Sequence, residues 1–107
     1  MKRGNIVTVA PPGEFGRPRP ALVIQSDIAL PAPTVTFLPI TSDLNRVPLI
    51  RIPIVPSAQN GLLKPSEVMV EMIQTSSARR IGKIIGHLDK KTMQEVETAL
   101  LVHLGLV

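Results

Sequence analysis

Residues 13–27 read GEFGRPRPALVIQSD, a glycine-flanked loop that delivers Arg17 and Arg19 to the start of an apolar run. Pro18 and Pro20 fix φ at their own positions and bias the residue before each toward extended backbone, so the two arginines are displayed stiffly at a loop mouth. The run that follows, 21–26, is a strand by composition, ended by Ser26 and Asp27. The same grammar recurs outward in both directions. Short stretches rich in Val, Ile or Thr, bounded by Pro, Gly, Asn or Ser, predict strands at 5–10, 34–40, 49–55 and 67–73, and a shorter one at 80–85. Asn60-Gly61 is the strongest turn signal, because both residues tolerate positive φ. Pro39 and Pro53 lie inside strands and cannot donate to a ladder, which points to edges, bulges or strand ends.

The period changes near the carboxy end. Met93, Val96, Leu100 and Leu104 recur at helical spacing, Thr92 with Glu95 fits a capping box after Asp89, and Gly105 fits a C-cap, so a helix is expected over 90–104. The fold class is therefore mainly β with a minor α component: a single domain over 1–107, five to six strands curled into a small SH3-like barrel with one terminal helix.

Composition narrows the function. The chain has 107 residues, 44% of them hydrophobic and 19% charged, which suits one folded domain and excludes a multidomain enzyme. With no cysteine there is no disulfide framework, thiolate metal site or cysteine nucleophile. The amino-terminal apolar stretch is cut by Pro11 and Pro12, and no run approaches a membrane span, so a cytoplasmic location is expected with no membrane partner. A net charge of +4 favours anionic partners, and the surplus sits in residues 1–28 and 74–107, which should face any nucleic acid. Phe15 and Phe37 are the only aromatic residues, too few for a base-stacking platform.

The common catalytic inventories are thin. His87 and His103 fit no ligand pattern, so no metal site is expected. There is no phosphate loop, and Gly82 and Gly86 read as close backbone packing or a bulge. No nucleophile elbow surrounds any serine. Arg17 and Arg19 remain. Pre-organised guanidinium groups suit phosphate, and the same residues equally suit a solubilised loop paired with Glu14.

Around that loop the chain resembles the MazF/PemK family of bacterial toxin endoribonucleases. The likeness is carried by Lys2-Arg3-Gly4, by 16–23 with its Arg-Pro step into an apolar strand, by Pro39-Ile40-Thr41-Ser42, by 68–75 with Glu71 in a V-x-x-[DE] pattern, and by the terminal helix. Each motif is short, and their order within one small basic chain is what makes them specific. The resemblance implies a homodimeric barrel that cuts single-stranded RNA without a cofactor or metal, leaving 2′,3′-cyclic phosphate and 5′-hydroxyl ends. It also implies a cognate acidic antitoxin, whose complex with the toxin binds DNA.

Carried over by position, the catalytic residues are Arg19 and Thr41. An arginine is too basic to serve as a general base near neutrality, so Arg19 is cast as stabilising the phosphorane and positioning its oxygens. The Thr41 hydroxyl would hold a phosphate oxygen or the 2′-OH, while a plain strand-end turn is its alternative. Glu14, Arg17, Ser42, Glu71, Gln74, Arg79 and Arg80 are the expected RNA-binding residues, with Lys83 extending the basic surface; Glu71 is expected to face outward from a strand. Asn5 and Met72 depart from the family pattern, which leaves base specificity unread. Two other readings stand beside this one: a CcdB-like gyrase poison on the same barrel, and a barrel that binds RNA or antitoxin without catalysis.

Overall fold

The computed structural model describes residues 1–11, 17–44 and 50–107. Seven strands form one antiparallel sheet: β1 (Asn5–Val9), β2 (Arg19–Val23), β3 (Thr34–Thr41), β4 (Arg51–Ile54), β5 (Ser66–Met69), β6 (Gln74–Ser77) and β7 (Ile81–His87), followed by α1 (Lys90–His103). The spatial order is β4-β5-β3-β2-β1-β7, with β6 also paired to β3. The sheet curls in the manner of a barrel without closing. Among the described residues, no helix is long and apolar enough to cross a membrane.

Apolar residues on successive positions of the central strands are buried on both faces. Ile6, Leu22, Leu38 and Ile40 join Val68, Val70, Met93 and Val96 in a core beneath α1. Val7, Ala21, Val23, Val35 and Phe37 form a second cluster on the other side. Strict alternation places neighbours on opposite faces, so strands apolar at consecutive positions require two covered faces.

β3 is the hub. One edge pairs with β2, Ala21 opposite Pro39 and Val23 opposite Phe37. The other edge pairs twice, Phe37 with Gln74 of β6 and Ile40 with Val68 of β5. Three steps along β3 thus correspond to six along its partner, and the excess is taken up by a 3₁₀ turn at Val70–Met72. This corrects the expected single strand over 67–73: the periodicity there is interrupted, and a bulge-like insertion bends the sheet. Pro39 lies in the gap between the two pairings, where a missing N–H costs least, and Pro53 lies on the edge strand β4.

Two local expectations are also corrected. α1 is capped by Asp89, whose carboxylate accepts from the Thr92 N–H at 3.0 Å and the Thr92 hydroxyl at 2.7 Å, so Thr92 receives the cap rather than providing it. At the Asn60-Gly61 turn only Gly61 has positive φ. Asn60 acts through its side chain, accepting from the Ser57 and Leu62 N–H groups at 3.0 Å and donating to the Val55 carbonyl at 2.9 Å. Gly105 has positive φ as expected of a C-cap. Gly82 and Gly86 are packing glycines: a Cβ would collide with Thr8 at the first and with the Gln59–Asn60 backbone at the second.

Candidate active site

Arg19 opens β2 and Thr41 closes β3. These strands run antiparallel with Ala21 opposite Pro39, so the register continued by two residues sets Arg19 opposite Thr41, on one face. Both line a cavity of about 570 Å³, together with Arg17, Ser42, Asp43, Lys64 and Ser66, floored by Thr8, Ile40 and Ile85. Three cations therefore face one carboxylate across an open cleft. Among the described residues Arg19 makes no ion pair.

The Thr41 hydroxyl accepts from the Asp43 N–H at 3.0 Å. This is the strand-end turn expected as the alternative to a site role, and it suits a site as well. A hydroxyl held as acceptor by backbone has its proton left to donate, and its direction is set before any ligand arrives.

A second, smaller cavity of about 140 Å³ adjoins the first, with Arg19 and Pro20 in the wall between them. It is lined by Gln74, Ser76 and Arg80 and by the apolar Phe37, Pro39 and Val9. Gln74 and Arg80 are thereby brought to the Arg19 side chain from the far side. Arg79 is exposed on the 3₁₀ turn Ala78–Arg80, its N–H bound to Ser77, and lines neither cavity; nor does Lys83. Glu14 lies outside the described residues. Of the two basic ends of the chain, Arg17, Arg19 and Arg80 meet here, whereas Arg3 is spent on Glu97 of α1 at 2.7 Å.

Glu71 is not an outward strand residue. It sits on the 3₁₀ turn that separates β5 from β6, and Arg51 of β4 grips it by a fork. The guanidinium Nε donates at 2.9 and 3.2 Å and Nη2 at 2.7 Å. The side chains are 14% and 18% exposed. Burial alone would disfavour the Glu71 carboxylate, but the hydrogen bonds and charge of Arg51 outweigh it and hold the group below its ordinary range. Glu71 in turn raises Arg51. Glu67, buried on β5, lies 3.9 Å from the same guanidinium. The inserted turn takes Glu71 off the strand and Arg51, the cross-strand partner of Met69, covers it; nothing local in sequence links residues twenty apart.

Lys64, Asp43 and Ser66 were not singled out by sequence reasoning, and they complete the cleft. Lys64 precedes Pro65 as Arg17 precedes Pro18 and Arg19 precedes Pro20, a signal that was present but unread. No group of three His, Cys, Asp or Glu side chains among the described residues could hold a metal ion. His87 is engaged with the Gln59 amide at 2.9 Å.

Fold and cleft together define a small basic barrel whose strand ends present guanidinium groups and a hydroxyl to an anion. The chain belongs to the PemK-like, MazF-like toxin family of type II toxin-antitoxin systems, whose profile matches residues 2–104. It is 36% identical to the probable endoribonuclease MazF of Mycolicibacterium smegmatis, over 99% of this chain and 98% of that protein. It is 30% identical to endoribonuclease EndoA of Bacillus subtilis, over 100% and 97% respectively. Among solved structures, the Mycobacterium tuberculosis toxin MazF-mt6 superposes with a TM-score of 0.79 at 25% identity, covering 94% of this chain and 96% of that one.

Proposed function

We propose that this toxin is an endoribonuclease whose Arg19–Thr41 cleft cuts single-stranded RNA at a short sequence. The observation that carries the reading is the meeting of Arg19 and Thr41 in one cavity from the ends of adjacent strands. In the proposed reaction the RNA supplies its own nucleophile. A 2′-OH attacks the adjacent phosphorus, the bond to the 5′-oxygen breaks, and the products are a 2′,3′-cyclic phosphate and a 5′-hydroxyl. DNA lacks that hydroxyl and is not cut. No metal-bound water is needed.

Arg19 stabilises the charge that develops on the pentacoordinate phosphorus, the role in which preorganised donors contribute most. Thr41 donates to a phosphoryl oxygen or orients the 2′-OH. Arg17 and Ser42 hold the strand on the same side, Gln74 and Arg80 contact it beyond Arg19, Arg79 serves it at the periphery, and Glu14, outside the described residues, is a further RNA-binding residue of this proposal. Glu71 belongs to this proposal only as the partner of Arg51, because its carboxylate is already engaged.

Membership of a toxin-antitoxin family supports neutralisation by a cognate acidic antitoxin, through which the complex reaches DNA. The toxin acts as a homodimer in the cytoplasm; a shallow trough between Ile52 of β4 and Ala99 and Val102 of α1, bordered by Lys91, Gln94 and Glu95, suits the dimer contact. The test is cleavage of a long unstructured RNA in excess EDTA, with cut positions and end groups mapped. Discrete cuts ending in cyclic phosphate, strongly reduced in R19A and less so in T41A, are expected. RNA left intact by wild-type protein sinks the reading in favour of a binding-only barrel.

A further inference from the structure

The segment 60–66 forms the wall of the cleft opposite the arginine loop, and it is locked at every step. Gly61 sits against β7, where a Cβ would collide with the Ile85 carbonyl, and its N–H donates to the Ser57 carbonyl at 3.0 Å. The neighbouring Gln59 carbonyl accepts from the His87 N–H, also at 3.0 Å. Leu62 is buried in the main core. On the far side the Ser66 hydroxyl donates to the Lys64 carbonyl at 2.8 Å, and Pro65 restricts the Lys64 backbone to extended conformations. Between these anchors Leu63 is 94% exposed and Lys64 is exposed, both on the cavity rim. A fully exposed leucine beside a lysine, on a turn with so little freedom, is a contact surface held ready rather than a loose loop.

From this we infer that Lys64 is a substrate-positioning residue that binds an RNA phosphate next to the scissile one, with Leu63 packing against the adjoining sugar or base. The inference rests on the ribonuclease reading. Its physical basis is that Arg17, Arg19 and Lys64 all precede prolines and all line one cavity, so the backbone that carries three cations is restricted before the polyanion arrives. Lys64 comes from the neutral middle of the sequence and adds a third cation to a cleft whose described lining holds one carboxylate, Asp43. It acts as a point charge for a passing phosphate, whereas the arginines supply planar forks.

The experiment compares wild type, K64A, K64R and L63A for cleavage of the unstructured RNA. Binding of a 2′-O-methylated copy of a cut segment, which lacks the nucleophile, is then measured across a salt series. K64A is expected to raise KM about tenfold while kcat stays within twofold, and to make the slope of log binding constant against log salt shallower by about 0.7, the value of one phosphate contact on a single strand. K64R restores both, and L63A raises KM with no change of slope. A purely structural residue would not move the salt slope. Wild-type cutting with an unchanged slope in K64A overturns this inference alone, and weaker binding of a polyglutamate peptide in that case gives Lys64 to a protein partner. Failure of wild type to cut removes the ribonuclease reading itself.

Discussion

Arg19 and Arg51 each open a β-strand, the first on interior strand β2 and the second on edge strand β4, and the molecule uses them in contrary ways. Arg51 is enclosed, gripping Glu71 through a fork and approaching Glu67. Arg19 is exposed, flanked by another arginine, and stands across from a hydroxyl and a lysine. One guanidinium is matched by carboxylates of the chain itself; the other makes no ion pair among the described residues. The contrast separates structure from function more sharply than residue type could. A half-buried cation with a carboxylate at 2.7 Å is engaged within the fold, and an exposed cation displayed at a strand end is open to a ligand.

The comparison breaks if the two arginines respond alike to truncation. Arg19→Ala should leave thermal stability within about 0.5 kcal/mol of wild type, as surface substitutions do, while RNA cleavage falls about 10²–10³-fold, the usual loss when one transition-state donor is removed. Arg51→Ala should do the reverse. It strands the Glu71 carboxylate, and denaturant titration should register a loss of about 2–3 kcal/mol. Restoring shape without charge sharpens the point: R51M/E71L should recover most of that loss, since a replaced ion pair is often neutral where a broken one is not. Equal stability losses in R19A and R51A would dissolve the distinction.

Thr41 tests the same division within one residue, because its hydroxyl already serves a turn. Thr41→Ala should lower cleavage about 10–50-fold, and Thr41→Ser, which keeps both the acceptor and the proton, should retain most of the activity. If the alanine variant loses stability, the serine variant keeps it and neither loses activity, Thr41 is only the turn residue that its bond to Asp43 describes.

Much of this was legible in the sequence, and the reasons for the gaps are physical. The arginine loop, the strand after it, Pro39 at a break in pairing and the terminal helix follow from local rules of φ, pairing and period. Glu71 is not outward because the three-residue turn at Val70–Met72 interrupts the strand and Arg51, on the strand paired with Met69, covers its carboxylate. Arg51 bound to Glu71, and Lys64 sharing a cavity with Arg19, are juxtapositions of segments far apart in the chain, set by the fold rather than by spacing. The N-cap was misread by three residues because Asp89 and Thr92 both carry capping oxygens, and only geometry decides which of them accepts.

The smallest expected effect isolates the closed half of the comparison. Glu71 has its carboxyl held below the ordinary value of 4.5, by the hydrogen bonds and charge of Arg51 working against burial. A group whose pKa is depressed by folding contributes stability that is fully present above its unfolded value and is lost as pH falls through the lower folded one. The Arg51–Glu71 pair should therefore stabilise the barrel equally at pH 6 and pH 7 and weaken below about pH 4.5. Glu71→Gln removes the titrating group, so the stability gap between wild type and E71Q should be widest near neutrality and shrink on acidification, as followed by urea titrations at pH 7, 4 and 3. Cleavage measured at pH 7 should change little in E71Q, because the carboxylate faces Arg51 and not the cleft. A gap independent of pH would mean that the fork contributes by shape alone, and a large loss of cleavage in a stably folded E71Q would move Glu71 from the closed region to the open one.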